Sequence, residues 1–138
     1  MVDKPKLDQM LANLRGYLGV LYELAATPRE DFLGNPDKIG NAKYHFVIAI
    51  ECCIDIANHI IASENYRFPT DNADSFTVLA EEGVLDRPFG ESLGAMARFS
   101  NGLVHVYWDV EDRRVSEYLD ESLADLERFA RAIAGHAW

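Results

Sequence analysis

Seven apolar residues, Phe46, Ile50, Cys53, Ile54, Ala57, Ile60 and Ile61, recur at steps of three and four between Asn41 and Ser63. That spacing lines them along one side of a helix with 3.6 residues per turn, so the stretch is a long amphipathic helix. An isolated helix gains little from such a stripe in water, and the rest of the chain must supply faces that cover it. Leu7, Met10, Leu11, Leu14, Leu18, Leu21, Tyr22 and Ala25 supply one, over roughly residues 6 to 26. Thr27-Pro28-Arg29-Glu30 has the order of a capped helical turn, with threonine as cap and proline at the first helical position. Gly34-Asn35-Pro36 then breaks that turn.

The polar stretch from Glu64 to Asp74, with Pro69 inside it, reads as a loop. A short helix follows through Phe76, Val78, Leu79, Val84 and Leu85, with Gly83 as its C-terminal stop. Pro88 opens a further helix whose apolar side is Phe89, Leu93, Met96, Leu103 and Tyr107. The last helix, over about 112 to 134, uses Val115, Tyr118, Leu119, Ser122, Leu126, Phe129 and Ile133. No segment alternates with period two, so no sheet is expected. Long amphipathic helices on short connections predict an all-α fold, an antiparallel four- to five-helix up-and-down bundle, and 138 residues suit a single domain over 1–138.

Composition narrows the function classes. The longest unbroken apolar runs, such as Phe46 to Ile50, are short, so no membrane span is expected. No apolar segment follows the charged N-terminus, so the chain is expected to stay in the cytoplasm. Cys52 and Cys53 are the only cysteines; neighbours on a helix point about 100° apart, which disfavours a bridge and leaves two small hydrophobes in a reducing compartment. A net charge of −10 repels nucleic acid and anionic lipid on average, and there is no basic run or Gly-rich phosphate loop.

The helix after Pro88 has an unusual outer face. Phe89, Leu93, Met96, Ser100, Leu103 and Tyr107 share the core side, while Gly94, Ala95, Arg98, Asn101, Gly102 and His105 collect opposite, with Trp108 at the edge. A solvated face usually carries Glu and Lys, whereas two glycines weaken the helix and leave a flat strip suited to a close-packed partner helix. Arg98 and His105 are seven residues apart on one line, with Asn101 between them. Two readings of this face stand. In one, Arg98 pairs with an acid on a neighbouring helix and His105 bonds a backbone carbonyl; in the other, the three side chains form a site.

The segment Phe99-Ser100-Asn101-Gly102-Leu103-Val104-His105-Val106-Tyr107-Trp108-Asp109 resembles the signature of HepT toxins in the HEPN superfamily. Glu51 to Ile61, then Ser75-Phe76 with Leu79 to Leu85, and Tyr118-Leu119 to Phe129 resemble its other blocks in the same order, so the likeness covers about residues 5 to 131. The resemblance implies a helical homodimer. It also implies a metal-independent ribonuclease site at the subunit interface, built from an arginine and a histidine in the pattern Arg-x(4 to 6)-His. Here that pair is Arg98 and His105, and Ser100 occupies the place directly before the asparagine where the commoner pattern has arginine. On an ideal helix Arg98, not Ser100, shares the histidine's face.

Cleaving RNA without a metal needs a group that moves the proton of the 2′-hydroxyl or leaving group, and a fixed cation for the charge on phosphorus. An imidazole, with an ordinary pKa near 6.5, and a guanidinium suit these roles, and Asn101 would orient the histidine or the phosphate. The resemblance further implies a nucleotidyltransferase antitoxin as partner, able to attach AMP to the tyrosine two residues after the histidine, which is Tyr107. In a continuous helix Tyr107 would point about 160° from His105, so the helix is expected to end or distort near Val106 if both serve one site. Otherwise Tyr107 is a core residue whose hydroxyl finds a partner.

Glu51, Asp55 and His59 fall at i, i+4 and i+8 and could form one wall of a metal site. No Glu-x-x-His occurs to complete it, so Glu51 and Asp55 read as a polar seam for loops or the partner subunit, with Ser100 as a further supporting residue, and neither metal nor cofactor is expected. The acidity leaves two accounts of function. Arg98, Arg113 and Arg114 form a local basic patch for a tRNA or mRNA substrate at the dimer cleft, or the chain is a catalytically inactive helical interaction module that binds a nucleotidyltransferase.

Overall fold

The computed structural model of the chain describes the backbone of residues 1–105 and 112–138 and the side chains of residues 1–101 and 112–138. Short acidic and amide side chains set where its helices begin. Asp3 accepts a hydrogen bond from the Lys6 N–H at the head of α1 (Lys4–Ala25). The next helix, α2 (Arg29–Leu33), has Pro28 at its cap position and no side-chain cap. Thr27, expected to cap it, instead accepts from the Lys38 ammonium at 3.4 Å. Asn35 accepts from the N–H groups of Asp37 and Lys38 and opens α3 (Pro36–Ser63). Gly34-Asn35-Pro36 therefore ends one helix and starts the next, so α3 begins ahead of the apolar stripe that marks it in the sequence.

Asp71 caps α4 (Asn72–Glu81), which also starts and stops earlier than its apolar residues suggest. Gly83, at φ +78°, reverses the chain, the Val84 N–H bonds the Leu79 carbonyl at 2.9 Å, and Val84 and Leu85 fold back buried beneath the helix end. Asp86 accepts from the Phe89 N–H at 2.8 Å at the start of α5 (Arg87–His105), and α6 (Asp112–Gly135) completes the order. No strand occurs among the described residues.

Contacts between helices fix their directions. The N-terminal ammonium bonds the Ser63 carbonyl, the Cys52 thiol reaches the Met10 carbonyl at 3.4 Å, and Lys38 reaches Thr27, so α1 and α3 run antiparallel. Arg128 lies over Phe89 and Tyr118 lies on Phe99, so α5 and α6 do too. Lys43 pairs with Asp112 at 3.4 Å, which sets the first turns of α6 beside the first half of α3. The four long helices alternate up and down, as expected. Six leucines of α1, from Leu7 to Leu24, enter the common core with Phe46, Ile56, Phe76, Leu93, Leu126 and Phe129. Each such side chain contributes roughly 1.5–3 kcal/mol on burial. Tyr22, expected on the inner face, is 44% exposed.

Contrary to the sequence expectation, α3 is long and apolar enough to cross a membrane by length and composition alone. Its apolar residues from Ile39 to Ile61 are instead the centre of the bundle, touching α1, α4, α5 and α6.

Candidate functional site

The described part of α5 divides as its sequence predicts, with one exception. Phe89, Leu93, Met96 and Ser100 are buried, and Ala95, Arg98 and Asn101 are exposed. The exception is Gly94, which faces α4: a Cβ there would stand 3.5 Å from the Ala73 methyl carbon. At Gly90, one turn earlier, a Cβ would come within 3.1 Å of the Phe76 carbonyl oxygen and 3.2 Å of the Ala80 methyl carbon. Gly94, one of the two glycines that suggested a partner helix, thus admits a helix of the same chain; the other, Gly102, lies outside the residues whose side chains are described.

Where α4 begins, the two helices part and leave a cleft of about 270 Å³ lined by Asp71, Asp74, Glu91 and Arg98 among others. A second, of about 190 Å³, shares Asp71 and Arg98 and reaches Asn101. Arg98 and Asn101 therefore border one recess at the outer edge of α5. Three carboxylates stand around the recess, yet Arg98 makes no ion pair among the described residues. The network explains why two of them are committed elsewhere. Asp71 caps α4, accepting from the Asp74 N–H at 2.7 Å. Asp74 takes two bonds from the Arg67 guanidinium at 2.8 and 2.9 Å and another from the Thr70 N–H. Arg67, then the Thr70 N–H, hold the Asp74 carboxyl well below the usual carboxylate range. The same guanidinium clasps Glu81 and lowers its pKa. The ion pair that would make Arg98 merely structural is not formed with any of these acids.

Ser100 lies on the other side of α5, 4% exposed, and its hydroxyl oxygen has no hydrogen-bond partner among the described residues. A side chain at this position enters the core, and one at Arg98 leaves it. The backbone of α5 continues as helix to His105, seven positions beyond Arg98, so the two Cα atoms fall on nearly one line about 10 Å apart. The His105 side chain, and Tyr107 with the expected end of the helix near Val106, lie outside the described residues.

Glu51 and Asp55 are exposed on α3, bond nothing among the described residues, and line neither recess that holds Arg98. Among the described residues no group of three His, Cys, Asp or Glu side chains is placed to share a metal ion, so Glu51, Asp55 and His59 do not assemble into one. Asp55 acts on its neighbour: burial, then the Asp55 charge, push the Cys52 thiol up to about 11. Two features escape a reading of the sequence. The Arg67 clasp joins residues of a loop and α4, and no local spacing announces it. The second is an aromatic column in which Phe99 lies parallel to Tyr118 at 3.8 Å between centroids, with Arg114 over the Tyr118 ring at 5.0 Å. The i, i+4 spacing of Arg114 and Tyr118 was its only local signal.

An mRNA nuclease HepT from Shewanella oneidensis is 35% identical over 83 residues, which make up 60% of this chain and 62% of that protein, so the chain spans about three-fifths of this curated relative. The tri-AMPylated HEPN toxin of Shewanella oneidensis, solved in complex with MNT antitoxin, superposes with a TM-score of 0.88 at 24% identity, covering 99% of this chain and 100% of that one. YutE of Bacillus subtilis, a cytosolic protein of unknown function, gives 0.82 at 20% identity over 96% of this chain and 89% of its own. At such identities the structural likeness is one of fold. The sequence profile of ribonuclease HepT-like proteins matches residues 8–133, nearly the whole length, and the chain belongs to that family.

Proposed function

We propose that the chain is the toxin component of a toxin–antitoxin pair, a metal-independent RNA endonuclease acting in the cytoplasm as a homodimer whose two α5 helices build a composite site. The observation that carries this reading is Arg98: it is exposed, it borders a recess with Asn101, it is unpaired among the described residues, and it stands on the helical line that leads to His105. In the proposed reaction His105 takes the proton of a ribose 2′-hydroxyl, and the oxygen attacks the adjacent phosphorus. The 5′-oxygen leaves with a proton, so the products end in a cyclic phosphate and a 5′-hydroxyl. Arg98 offsets the charge that builds on the phosphoryl oxygens, and Asn101 orients the phosphate or the imidazole. Glu51 and Asp55 take no part in that step. A nucleotidyltransferase antitoxin, the kind of partner named for the Shewanella toxin complex, would silence the chain by transferring AMP from ATP to the Tyr107 hydroxyl with release of pyrophosphate.

A second reading, a catalytically silent docking module for such a nucleotidyltransferase, draws on Ser100, which is buried where the commoner motif carries arginine, and on the carboxylates around Arg98. One experiment separates the two. Chain freed of partner and unmodified at Tyr107 is incubated with labelled tRNA and mRNA in EDTA, beside His105→Ala and Arg98→Ala at equal dimer content. Cleavage by the native chain, reduced at least about 100-fold in both variants, is expected for the ribonuclease. Intact RNA with the native chain assigns the docking module, and a strictly monomeric active chain overturns the composite site.

A further inference from the structure

The described arginines that touch an aromatic ring or two carboxylates are used in three different ways. Arg67 is consumed by Asp74 and Glu81. Arg128 is held between the Phe89 ring, 4.1 Å from its guanidinium carbon, and the Asp86 carboxylate at 2.5 Å. Arg114 is fixed on one side only. Phe99 covers one face of Tyr118 at 3.8 Å with the rings only 2° from parallel, so the guanidinium at 5.0 Å has to occupy the other face. Phe46 abuts Tyr118 edge-on at 6.3 Å and locks the ring in place. The side chain of Arg114 remains 55% exposed, and its one ionic contact among the described residues, to Glu117 at 3.4 Å, is longer than a well-formed charged hydrogen bond. A planar cation thereby sits over a rigid column, with more than half of its side chain exposed.

Its place along the bundle matters. Arg128 meets Phe89, and ten positions on along α5 and ten back along α6 Phe99 meets Tyr118, which gives the register of the antiparallel pair. Carried four positions further, that register sets Arg114 level with residue 103, within about one helical turn of His105. Guanidinium planes and aromatic rings are the surfaces on which unpaired RNA bases stack.

We infer that Arg114 is a substrate-positioning residue whose guanidinium, stacked on Tyr118 and Phe99, receives a nucleobase of single-stranded RNA next to the phosphate held at Arg98 and His105. The inference rests on the ribonuclease reading for the identity of the ligand, and its test is kept separate by measuring binding as well as cleavage. Labelled single-stranded RNA is titrated in EDTA against the full chain carrying His105→Ala, alone and with Arg114→Ala, Arg114→Lys or Arg131→Ala, and the same three changes are assayed for cleavage in the otherwise native chain. Lysine keeps the charge and loses the plane. Both Arg114 variants should weaken binding on the order of tenfold and raise KM more than they lower kcat, with unchanged melting midpoints, while Arg131→Ala, an exposed arginine farther along α6, should stay within about twofold. Native-like binding by Arg114→Lys, or a fall in binding that tracks a fall in melting midpoint, overturns the stacking role and leaves the ribonuclease standing. Loss of binding in the Arg114 variants of a chain that does not cleave RNA keeps the base contact and removes the ribonuclease. No RNA binding by the His105→Ala chain removes the inference.

Discussion

Gly90 and Gly94 lie one turn apart on the same helix, and the structure gives alanine opposite effects at the two sites. The intrinsic preference of a helix interior for alanine over glycine is about 1 kcal/mol and applies to both. At Gly94 the new methyl would rest at 3.5 Å from Ala73, an ordinary contact, so Gly94→Ala should stabilise by close to that full amount. For a chain of this length that is a rise of about 3 °C in melting midpoint. At Gly90 the methyl would lie 3.1 Å from the Phe76 carbonyl oxygen, which belongs to the α4 backbone and cannot turn aside. Wedging α4 away costs about 1–3 kcal/mol, so Gly90→Ala should be neutral to about 2 kcal/mol destabilised. Thermal and urea melts of both variants at matched protein concentration, with sedimentation to follow assembly, make the comparison. The propensity gain cancels between them and their difference isolates the close approach of α4. A Gly94→Ala chain that melts lower, or that sediments as a smaller assembly than the native chain, would refute this account and restore the reading in which Gly94 receives a helix from another subunit; a Gly90→Ala chain at least as stable as Gly94→Ala would refute the tight packing.

The remaining predictions concern buried and charged groups. Ser100→Ala removes a buried hydroxyl without a partner among the described residues and should be neutral or slightly stabilising, whereas Ser100→Arg drives a charge into the core and should cost several kcal/mol in a urea melt. Arg67→Ala should lower the melting midpoint most near neutral pH. Because Asp74 and Glu81 have carboxyl pKa values lowered in the fold, their contribution is complete above the unfolded-state values of about 4 and is lost only as pH falls through the lower folded-state values, so the gap between variant and native melts should begin to narrow below about pH 4 and persist in part at about pH 3. Neither thiol should react rapidly with a disulfide reagent at pH 8 in the native protein, since Cys52 is held at about 11 and Cys53 is fully buried, which pushes its thiol well above the ordinary value; both should react once the chain is unfolded.

Much of the fold is legible in the sequence because periodicity reports burial directly. The leucines of α1 and the apolar stripe of α3 appear in the core where the three- and four-residue spacing puts them. The ends are less legible, because a capping residue competes for backbone donors with a strength unrelated to the stripe. Asn35 starts α3 before Asn41, and Asp71 starts α4 before Phe76, each by bonding N–H groups that carry no periodic signal. Gly94 was misread for a related reason: a helical wheel reports that a face is bare, but not whose atoms fill it. The filling helix is α4, brought into place by the reversal at Gly83. The same limit hid the Arg67 clasp and the Phe99–Tyr118–Arg114 column, which depend on contacts between elements.

For the candidate site, helical angle decides more than motif spacing does. A motif read along the chain draws the eye to the residue just before Asn101, but that residue is Ser100, buried on the side of α5 that also carries Leu93 and Met96. An arginine at that position would have to leave the helix or bury its charge, and the second option costs several kcal/mol. Arg98, two positions earlier and about 160° around, meets no such penalty and lies on the His105 line. The two positions are thus not interchangeable on one α5 backbone: with serine at 100 buried, the cation that α5 presents on the His105 line is the one at 98. Transplanting the arginine in the double variant Arg98→Ser with Ser100→Arg therefore tests the geometry directly. It should lose RNA cleavage as fully as Arg98→Ala while melting well below it, and a double variant that cleaves like the native chain would show that α5 can turn about its axis to bring position 100 to the site.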